Sequence, residues 1–233
     1  MEWFIKWTDT LYKTFIVSER YKVLISGFEK TLIITFGALV IGVLIGTIVA
    51  IIKVFAEQNG NSKILKVLSK ICNVYLTVIR GTPVVVQLLI SFFIIFTTAK
   101  DGTWVATLTF GINSGAYVAE TIRSGIMAID KGQNEAGRSL GFSNIQTMWL
   151  IILPQAFKNI LPAIGNEMIA LLKETSVAGY VAVTDLTKAG NQIKNTTYDN
   201  TNPILLVALV YLIVVIILTR LLSLLERRLR KSE

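Results

Sequence analysis

The sequence lacks histidine altogether, has one cysteine, Cys72, and devotes only 16% of its 233 residues to charged side chains. Without histidine or a second cysteine, it offers no usual metal-ligand cluster, no imidazole base and no intrachain disulfide. It also lacks a Gly-x-x-x-x-Gly-Lys-Ser/Thr run, the loop that holds nucleotide phosphates in many ATP-binding proteins. We therefore expect no catalytic residue, no metal site and no cofactor bound by this chain itself.

Hydrophobic residues, in contrast, are abundant. They make up 53% of the chain, and the mean hydropathy is +0.62. A soluble domain of this length cannot bury so much apolar surface, so the composition predicts an all-α integral membrane protein. The formal net charge is +8. We interpret this basic excess as contact with membrane lipid headgroups on the cytoplasmic side, and not with nucleic acid.

Long apolar segments predict five transmembrane helices within a single transmembrane domain of residues 1–233. They lie at about residues 31–54, 73–99, 103–122, 156–172 and 204–225. The first contains Gly37, Gly42 and Gly46, which thin one side of the helix for close contact with a neighbour. Residues 63–71 place three lysines opposite apolar residues, which predicts a piece that runs along the membrane surface before the second span.

Two further segments are predicted outside the spans. Residues 1–25 place apolar side chains at helical spacing with charges between them, which predicts an N-terminal helix in the membrane interface. These apolar residues are Trp3, Phe4, Trp7, Leu11 and Phe15. Residues 175–202 are polar and predict an extracellular loop, anchored in part by Val181, Val183 and Leu186.

The polar stretch at residues 133–154, which we call the elbow, predicts two short helices joined by a sharp turn. Gly141 supplies the left-handed conformation that often follows the end of a helix. Ser143 and Gln146 have the Ser-x-x-Gln spacing of a capping box, which begins the second helix. From these features alone, the alternative is an ordinary cytoplasmic loop between two membrane helices.

The elbow resembles the EAA loop of the permease subunits of bacterial ATP-driven importers. The residues at the fixed spacing of this loop are Glu135, Ala136, Gly137, Gly141, Ile151, Leu153 and Pro154, and all but Gly137 match the family pattern. In that family the loop inserts into a groove of the ATP-binding subunit, so the resemblance implies that these residues, with Leu140, couple the chain to an ATPase. Ala136 and Leu140 share one helix face, while Glu135 and Arg138 are spaced to pair on another. Gly137 departs from the family pattern, which usually has alanine, and we expect it to loosen the first helix.

Residues 80–83 of the second predicted span read Arg-Gly-Thr-Pro and predict a hinge that carries a charge. Pro83 removes a backbone donor, and Arg80 is costly in a membrane unless it is paired or reaches water. Together with Gln87 and its neighbours, the segment resembles that of the polar amino-acid subgroup of the same permeases. The resemblance implies that Arg80, Thr82, Pro83 and Gln87 lie along the substrate path. The alternative is a proline kink with an arginine that extends to the membrane surface.

Polar side chains also form stripes on the third and fourth predicted spans. Asn113, Tyr117 and Glu120 fall at i, i+4 and i+7, so they share a helix face that must contact protein or water. Pro162 is expected to break the fourth span and free backbone carbonyls. The polar residues of that span are Asn159, Asn166 and Glu167. Such stripes either line a transport path or seal a helix interface, and both interpretations stay open.

The resemblance implies an ABC-type importer of polar amino acids in the cytoplasmic (inner) membrane, working by alternating access. It also implies three kinds of partner: a second permease subunit, identical or different; two ATP-binding cassette subunits that bind ATP and Mg; and an extracellular or periplasmic solute-binding protein. The amino-acid substrate would meet Glu120 or Glu167 through its ammonium group and Arg80 through its carboxylate. Five spans, the basic loops and the cytoplasmic elbow predict that the N-terminus lies outside and the C-terminus inside.

Two rival functions are compatible with the carboxylates. In an ion-coupled secondary carrier, Glu120 and Glu167 would be protonation sites, although five spans without an inverted repeat argue against that class. An intramembrane enzyme with the same carboxylate pair is less well supported, because the sequence supplies no nucleophile with its base. Dependence of transport on ATP or on a proton gradient separates the importer from the carrier.

Overall fold

The structure is a computed structural model that describes residues 8–58 and 62–230. Within these residues it contains α-helices and no β-strand, which confirms the predicted all-α membrane fold. Residues 8–11 are α-helical, and nine further α-helices follow in the described chain. The α-helices are α1 (Tyr21–Gln58), α2 (Lys63–Gly81), α3 (Val84–Ile90), α4 (Gly102–Met127), α5 (Lys131–Ser139), α6 (Asn144–Thr147), α7 (Leu153–Glu174), α8 (Leu186–Thr197) and α9 (Asn202–Arg230). Shorter helical segments cover Tyr12–Ile16, Ser91–Ile95, Met148–Ile152 and Thr175–Tyr180.

Among the described residues, three helices are long and apolar enough to cross a membrane: Tyr21–Glu57, Asn144–Tyr180 and Asn202–Leu229. The broken pair Lys63–Gly81 and Val84–Ile95 supplies a fourth crossing if it forms one span. Helix α4, which contains the third predicted span, carries more polar residues and is not apolar enough to be counted with these helices. The count of five crossings therefore stays a prediction, as does the assignment of the whole chain to one domain.

The first long helix begins earlier than the sequence predicts. Ser18 and Glu19 have φ of 82° and 52°, so the backbone turns left-handed there, and α1 starts at Tyr21. The predicted interfacial helix of residues 1–25 therefore ends before this turn, and residues 21–25 belong to α1. Periodicity missed the break because neither residue is a usual helix terminator. Trp3, Phe4 and Trp7 lie outside the described residues.

The predicted boundary between a surface piece and the second span is wrong. Helix α2 runs without interruption from Lys63 to Gly81, through the expected boundary at Asn73. The helix ends at Thr82 and Pro83, where proline provides no backbone N–H. Residues 73–99 are therefore not one continuous helix, and the predicted hinge separates α2 from α3.

The fourth predicted span is not broken at Pro162. Helix α7 continues through this proline, and the Asn166 side chain donates a hydrogen bond to the Pro162 carbonyl at 3.3 Å. The helical run extends from Asn144 to Tyr180 and so joins the second half of the elbow to the fourth span. The prolonged helix tolerates Pro162 because the remaining turns supply its other hydrogen bonds.

The described chain divides into two compact units, and the first comprises residues 8–38, 84–110 and 170–217. In this unit, the segment at residues 175–202, whose assignment as an extracellular loop stays a prediction, contains helical structure at Thr175–Tyr180 and Leu186–Thr197. Asp185 caps the start of α8 and is fully buried. Burial raises the pKa of its carboxyl group, and hydrogen bonds from the backbone N–H groups of Thr187 and Lys188 act in the opposite direction. The predicted anchors are buried: Val181, Val183 and Leu186.

Helix α8 escaped prediction because its apolar residues are few and occupy only its inner face. These residues pack with side chains of α1 and α9 in one core that contains Leu24, Leu186, Ala189, Ile193 and Val207. Its outer face carries lysine, asparagine and threonine, which dominate the composition of the segment. A polar composition therefore conceals a short amphipathic helix.

The second unit comprises the described parts of residues 39–83, 111–169 and 218–233. One core of this unit brings together α1, α4, α7 and the helical turn before α7. The buried members are Ala50, Val54, Val118, Ile122, Ile126, Met148, Ile152, Ala156 and Ile160. A second core joins α2 to α1 and α4 through Val49, Cys72, Leu76, Ala116 and Ala119.

Glycines permit the close helix contacts that the sequence predicts along the first span. In the second unit, a Cβ at Gly42 would lie 2.8 Å from Ser114 Oγ, and one at Gly46 would lie 2.7 Å from Val118 Cβ. In the first unit, a Cβ at Gly37 would lie 2.6 Å from a methyl carbon of Thr107. Larger side chains would separate the helices, so the predicted small-residue face is confirmed.

Candidate functional site

The turn of the elbow is fixed by backbone hydrogen bonds around Gly141. Asp130 caps the start of helix α5, and its side chain accepts a hydrogen bond from the Gly132 N–H at 2.7 Å. After the helix, Gly141 has φ of 89°; its N–H bonds the Arg138 carbonyl, and the Phe142 N–H bonds the Gly137 carbonyl. This pair of bonds is the Schellman arrangement, which satisfies the last carbonyls of a helix. The predicted left-handed cap is confirmed.

The second half of the elbow begins with the predicted capping box. The Gln146 N–H donates to Ser143 Oγ at 3.2 Å, and the Ser143 N–H donates to Gln146 Oε1 at 2.8 Å. From Asn144 the helical backbone continues to Tyr180. The second half of the elbow is therefore continuous in the chain with the fourth predicted span.

The two helices of the elbow are packed directly against each other. Gly137 is buried, and a Cβ there would lie 2.8 Å from Thr147 Cγ2 and 3.0 Å from Ile151 Cδ1. The Gln155 side chain also donates to the Gln133 side chain at 3.3 Å. The glycine that departs from the family pattern therefore allows close packing, and the expectation that it loosens the first helix finds no support in these contacts.

Large apolar side chains on the elbow are exposed, although apolar residues beside them are buried in the second unit. The exposed set, which we call the elbow cap, consists of Leu140, Ile145, Trp149 and Leu150, with 77%, 59%, 65% and 63% of their surface exposed. Met148 and Ile152, in the same helical turn, pack into the core. Exposed apolar side chains of this kind are typical of a surface that meets a protein partner or membrane lipid.

The remaining predicted coupling residues occupy different environments. Glu135, Ala136 and Pro154 are exposed, while Leu153 packs against the core. The expected ion pair between Glu135 and Arg138 is absent from the described part of the chain. Arg138 instead donates a hydrogen bond to the Phe142 carbonyl at 3.0 Å, in the turn that follows the helix.

A polar cavity of about 500 Å³ lies elsewhere in the second unit. Helices α1, α2 and α4 supply its lining, which consists of Lys53, Asn73, Leu76, Thr77, Arg80, Gly81, Tyr117 and Glu120. The Arg80 guanidinium lies over the Tyr117 ring, 5.5 Å from its centroid, so a cation–π contact positions the charge. The cavity is large enough for an amino acid and has charged groups of both signs.

One of the lining residues, Glu120, belongs to an ion cluster that the sequence did not predict. Arg123 donates to Glu120 through two nitrogens, with Nη2–Oε1 at 2.5 Å and Nε–Oε2 at 3.2 Å. Its third nitrogen, Nη1, lies 3.8 Å from Glu57 Oε1 on α1. Arg123 thus engages both oxygens of the cavity carboxylate and links α4 to α1.

The structure brings together only some of the predicted path residues. Arg80, Tyr117 and Glu120 line the cavity, and the Thr82 hydroxyl donates to the Val78 carbonyl at the break just beyond it. The other predicted residues do not line it. Asn113 is buried, whereas Asn159 and Asn166 are exposed on α7. Glu167 accepts a hydrogen bond from Ser114 Oγ at 2.9 Å. Pro83 and Gln87 are not part of the cavity lining.

The lining residues that sequence reasoning missed follow a recognisable pattern. Asn73, Thr77 and Arg80 fall at i, i+4 and i+7 of α2, the same spacing that identified the stripe on α4. All three residues lie inside the predicted span at residues 73–99, so the same spacing could have identified this stripe from the sequence. Lys53 had a weaker signal, since a lysine near the end of a span also suits the membrane surface.

Comparison with known proteins agrees with these features. Residues 42–231 match the family described as "Binding-protein-dependent transport system inner membrane component". The chain is 35% identical to the arginine transport system permease protein ArtQ of Bacillus subtilis over 213 residues, covering 90% of this chain and 94% of that protein. It is 36% identical to the glutamine transport system permease protein GlnP of Escherichia coli K12 over 211 residues, covering 89% and 93%. A solved structure described as an amino acid ABC transporter with histidines superposes with a TM-score of 0.83 and 41% identity, covering 91% of this chain and 96% of that chain.

Proposed function

Because this chain belongs to the family of binding-protein-dependent transport system inner membrane components, we propose that it is the membrane subunit of an ATP-driven amino-acid importer. The names of its relatives, an arginine and a glutamine permease, support amino acids as the substrate class. The elbow cap is the single observation that carries the coupling role. It places exposed apolar side chains on a backbone held by a Schellman turn and a capping box.

In this proposal, the elbow cap inserts into a groove of the ATP-binding subunit. Burying four large apolar side chains provides the favourable contact, with each side chain contributing roughly 1.5–3 kcal/mol before the costs of association. Gly137 and the Gln155–Gln133 contact keep the two elbow helices together, so movement of the partner moves the helical run that begins at Asn144. Alternating access follows if the ATP-bound and ATP-free partner pairs favour different positions of this run.

The proposed assembly contains two ATP-binding subunits, which bind ATP and Mg, and a second permease subunit. A solute-binding protein delivers the amino acid from outside. The elbow lies in the cytoplasm, the C-terminus lies inside and the N-terminus outside. This orientation is supported by the basic residues near the elbow and at the end of α9.

The cavity is the proposed part of the substrate path in this chain. Arg80 offers a guanidinium to the carboxylate of the amino acid, a pairing with charge-assisted hydrogen bonds. Asn73, Thr77 and Tyr117 offer neutral polar groups for the rest of the molecule. These residues come from two helices, so small movements of either helix change their separation and the affinity for the solute.

Reconstitution tests the proposal. The chain, its ATP-binding partner and the solute-binding protein are placed in proteoliposomes, and uptake of a panel of amino acids is measured with ATP or with an imposed proton gradient. We expect uptake with ATP and none with the gradient alone. Uptake that follows the gradient without ATP would identify an ion-coupled carrier instead.

A charge reversal in the elbow provides a matched comparison. Glu135→Lys should insert normally but lose ATP-driven uptake, because it changes the charge of an exposed position beside the elbow cap. Glu29→Lys makes the same change at an exposed position of α1 outside the elbow and should retain uptake. Normal uptake and full ATPase occupancy with Glu135→Lys would refute the docking role.

A further inference from the structure

The cavity has an unequal distribution of charge. Among its eight lining residues, Lys53 and Arg80 are cations and Glu120 is the one carboxylate. A solute that enters the cavity therefore meets two positive groups from α1 and α2, and a negative group from α4. Whether Glu120 balances the cations depends on what else contacts its two oxygens.

Arg123 contacts both carboxylate oxygens of Glu120. The Nη2–Oε1 distance of 2.5 Å and the Nε–Oε2 distance of 3.2 Å form a bidentate pair, the strongest common geometry between a guanidinium and a carboxylate. The side chains of Arg123 and Glu120 are 26% and 31% exposed, so water screens their interaction only in part. The negative charge of Glu120 is thus largely offset by a residue outside the cavity lining.

We propose that Arg123 is a specificity-determining residue: by neutralising Glu120, it makes the cavity favour amino acids whose side chain is neutral or acidic over those whose side chain is basic. This inference rests on the proposed function, because it assumes that the cavity holds the transported amino acid. Every amino acid brings an α-carboxylate that Arg80 and Lys53 attract. A basic side chain adds a cation that the same two residues repel and that Glu120, paired with Arg123, attracts only weakly.

The size of the effect is limited by water. The side chains of Arg123 and Glu120 are partly exposed, so solvent screens much of the interaction between Glu120 and a charged ligand. We therefore expect removal of the Arg123 charge to change the ratio of affinities for basic and neutral amino acids by roughly tenfold.

Equilibrium binding measures this ratio without the selectivity of a solute-binding protein. The chain is purified with its ATP-binding partner, and binding of radiolabelled L-lysine, L-glutamine and L-glutamate is measured by scintillation proximity. The wild type should bind glutamine and glutamate more tightly than lysine. Arg123→Gln should raise the affinity for lysine relative to glutamine by roughly tenfold, because Glu120 then faces the cavity without its partner.

Three further variants separate charge from architecture. Arg123→Lys keeps the charge and should keep the wild-type ratio. Glu57→Gln leaves Arg123 facing Glu120 alone, so it should not raise the affinity for lysine relative to glutamine. The double variant Arg123→Gln with Glu120→Gln has no carboxylate to expose, so the gain for lysine should disappear. A purely structural role of Arg123 would not produce this pattern.

Equal binding of lysine and glutamine by the wild type, or an unchanged ratio in Arg123→Gln, would overturn the inference while leaving ATP-driven uptake intact. If Arg123→Gln does not assemble, Glu120→Gln is tested in its place. It must lower the affinity for lysine relative to that for glutamine, because the charge of Arg123 is then no longer compensated by Glu120. Absence of binding of all three amino acids to the wild type would overturn the proposed cavity and the inference together. Loss of ATP dependence in reconstitution would count against the proposed function itself.

Discussion

The elbow and the cavity are stabilised by different kinds of interaction. The elbow holds its shape through backbone hydrogen bonds within about twenty residues and exposes apolar side chains. The cavity collects charged and polar side chains from three helices, and its geometry depends on contacts such as Arg123 with Glu120. A fixed apolar surface suits a lasting protein contact, whereas partly exposed charges suit a small polar solute. Variants of the elbow should therefore change coupling, and variants of the cavity should change affinity.

The largest effect is expected from Gly141→Pro. Proline fixes φ near −65°, whereas this position has φ of 89°, and it also removes the N–H that bonds the Arg138 carbonyl. The elbow turn cannot form, so ATP-driven uptake in proteoliposomes should be abolished. Gly141→Asn is the matched control, because asparagine tolerates the left-handed conformation and should retain most uptake. Full activity of Gly141→Pro would show that the shape of the turn is not needed for coupling.

Arg80→Gln should affect the cavity and leave the elbow intact. Losing the charged partner of the substrate carboxylate should weaken binding by about 2 kcal/mol, or roughly 30-fold in the half-saturation constant for uptake. The maximal rate and ATPase assembly should change little. Arg220→Gln removes an exposed arginine on α9, outside the cavity lining, and should leave the constant unchanged. An Arg80→Gln variant with wild-type half-saturation would remove Arg80 from the substrate path.

Gly137→Ala tests the packing inside the elbow. Its new methyl group would approach Thr147 and Ile151 within 3.0 Å, so we expect overpacking to lower stability by about 1–3 kcal/mol. Thr147→Ala removes the nearest methyl group and a hydroxyl that has no hydrogen-bond partner among the described residues. The double variant should therefore recover most of the loss in a thermal unfolding measurement. A destabilisation that Thr147→Ala fails to relieve would contradict the contact.

The smallest effect concerns Glu167, which contacts Ser114 and does not line the cavity. Ser114→Ala removes the hydrogen bond between these two residues, at a cost of about 1 kcal/mol, and Glu167→Gln weakens it. The double variant should cost less than the sum of the two single variants, because both act on the same contact. Thermal unfolding measures the cost, and half-saturation for uptake should stay near the wild type. A raised half-saturation constant in Glu167→Gln, with unchanged stability, would instead place this carboxylate on the path.

The same contrast explains how much of the molecule could be read from its sequence. Gly141 and the Ser143–Gln146 box act within one turn of backbone, so their spacing alone predicts the elbow, and the structure confirms both. The cavity depends on which faces of distant helices meet. Arg80, Tyr117 and Glu120 were predicted as polar positions in a membrane, but nothing in their spacing indicates that they share one cavity with Lys53.

The errors in the fold have related causes. Residues 175–202 are polar on average, and the average conceals the apolar face that buries α8. Pro162 is a strong local signal for a break, yet the surrounding helix continues through it because its other turns remain bonded. The pair expected between Glu135 and Arg138 competes with a carbonyl at the end of the same helix, and the carbonyl is preferred. In each case a tertiary or neighbouring contact outweighs the local pattern.

The central claim, that the elbow cap is the contact for the ATP-binding subunit, is tested most directly by photocrosslinking. Cys72 is the only native cysteine, so a Cys72→Ser chain accepts a single new cysteine at Leu140, in the elbow cap, or at Leu212, an equally large exposed residue on α9. Each is labelled with benzophenone maleimide in the assembled complex and irradiated. We predict that the ATP-binding subunit crosslinks to the label at Leu140 and not to the label at Leu212. An assembled, active complex in which the label at Leu140 yields no crosslink to that subunit would contradict the account.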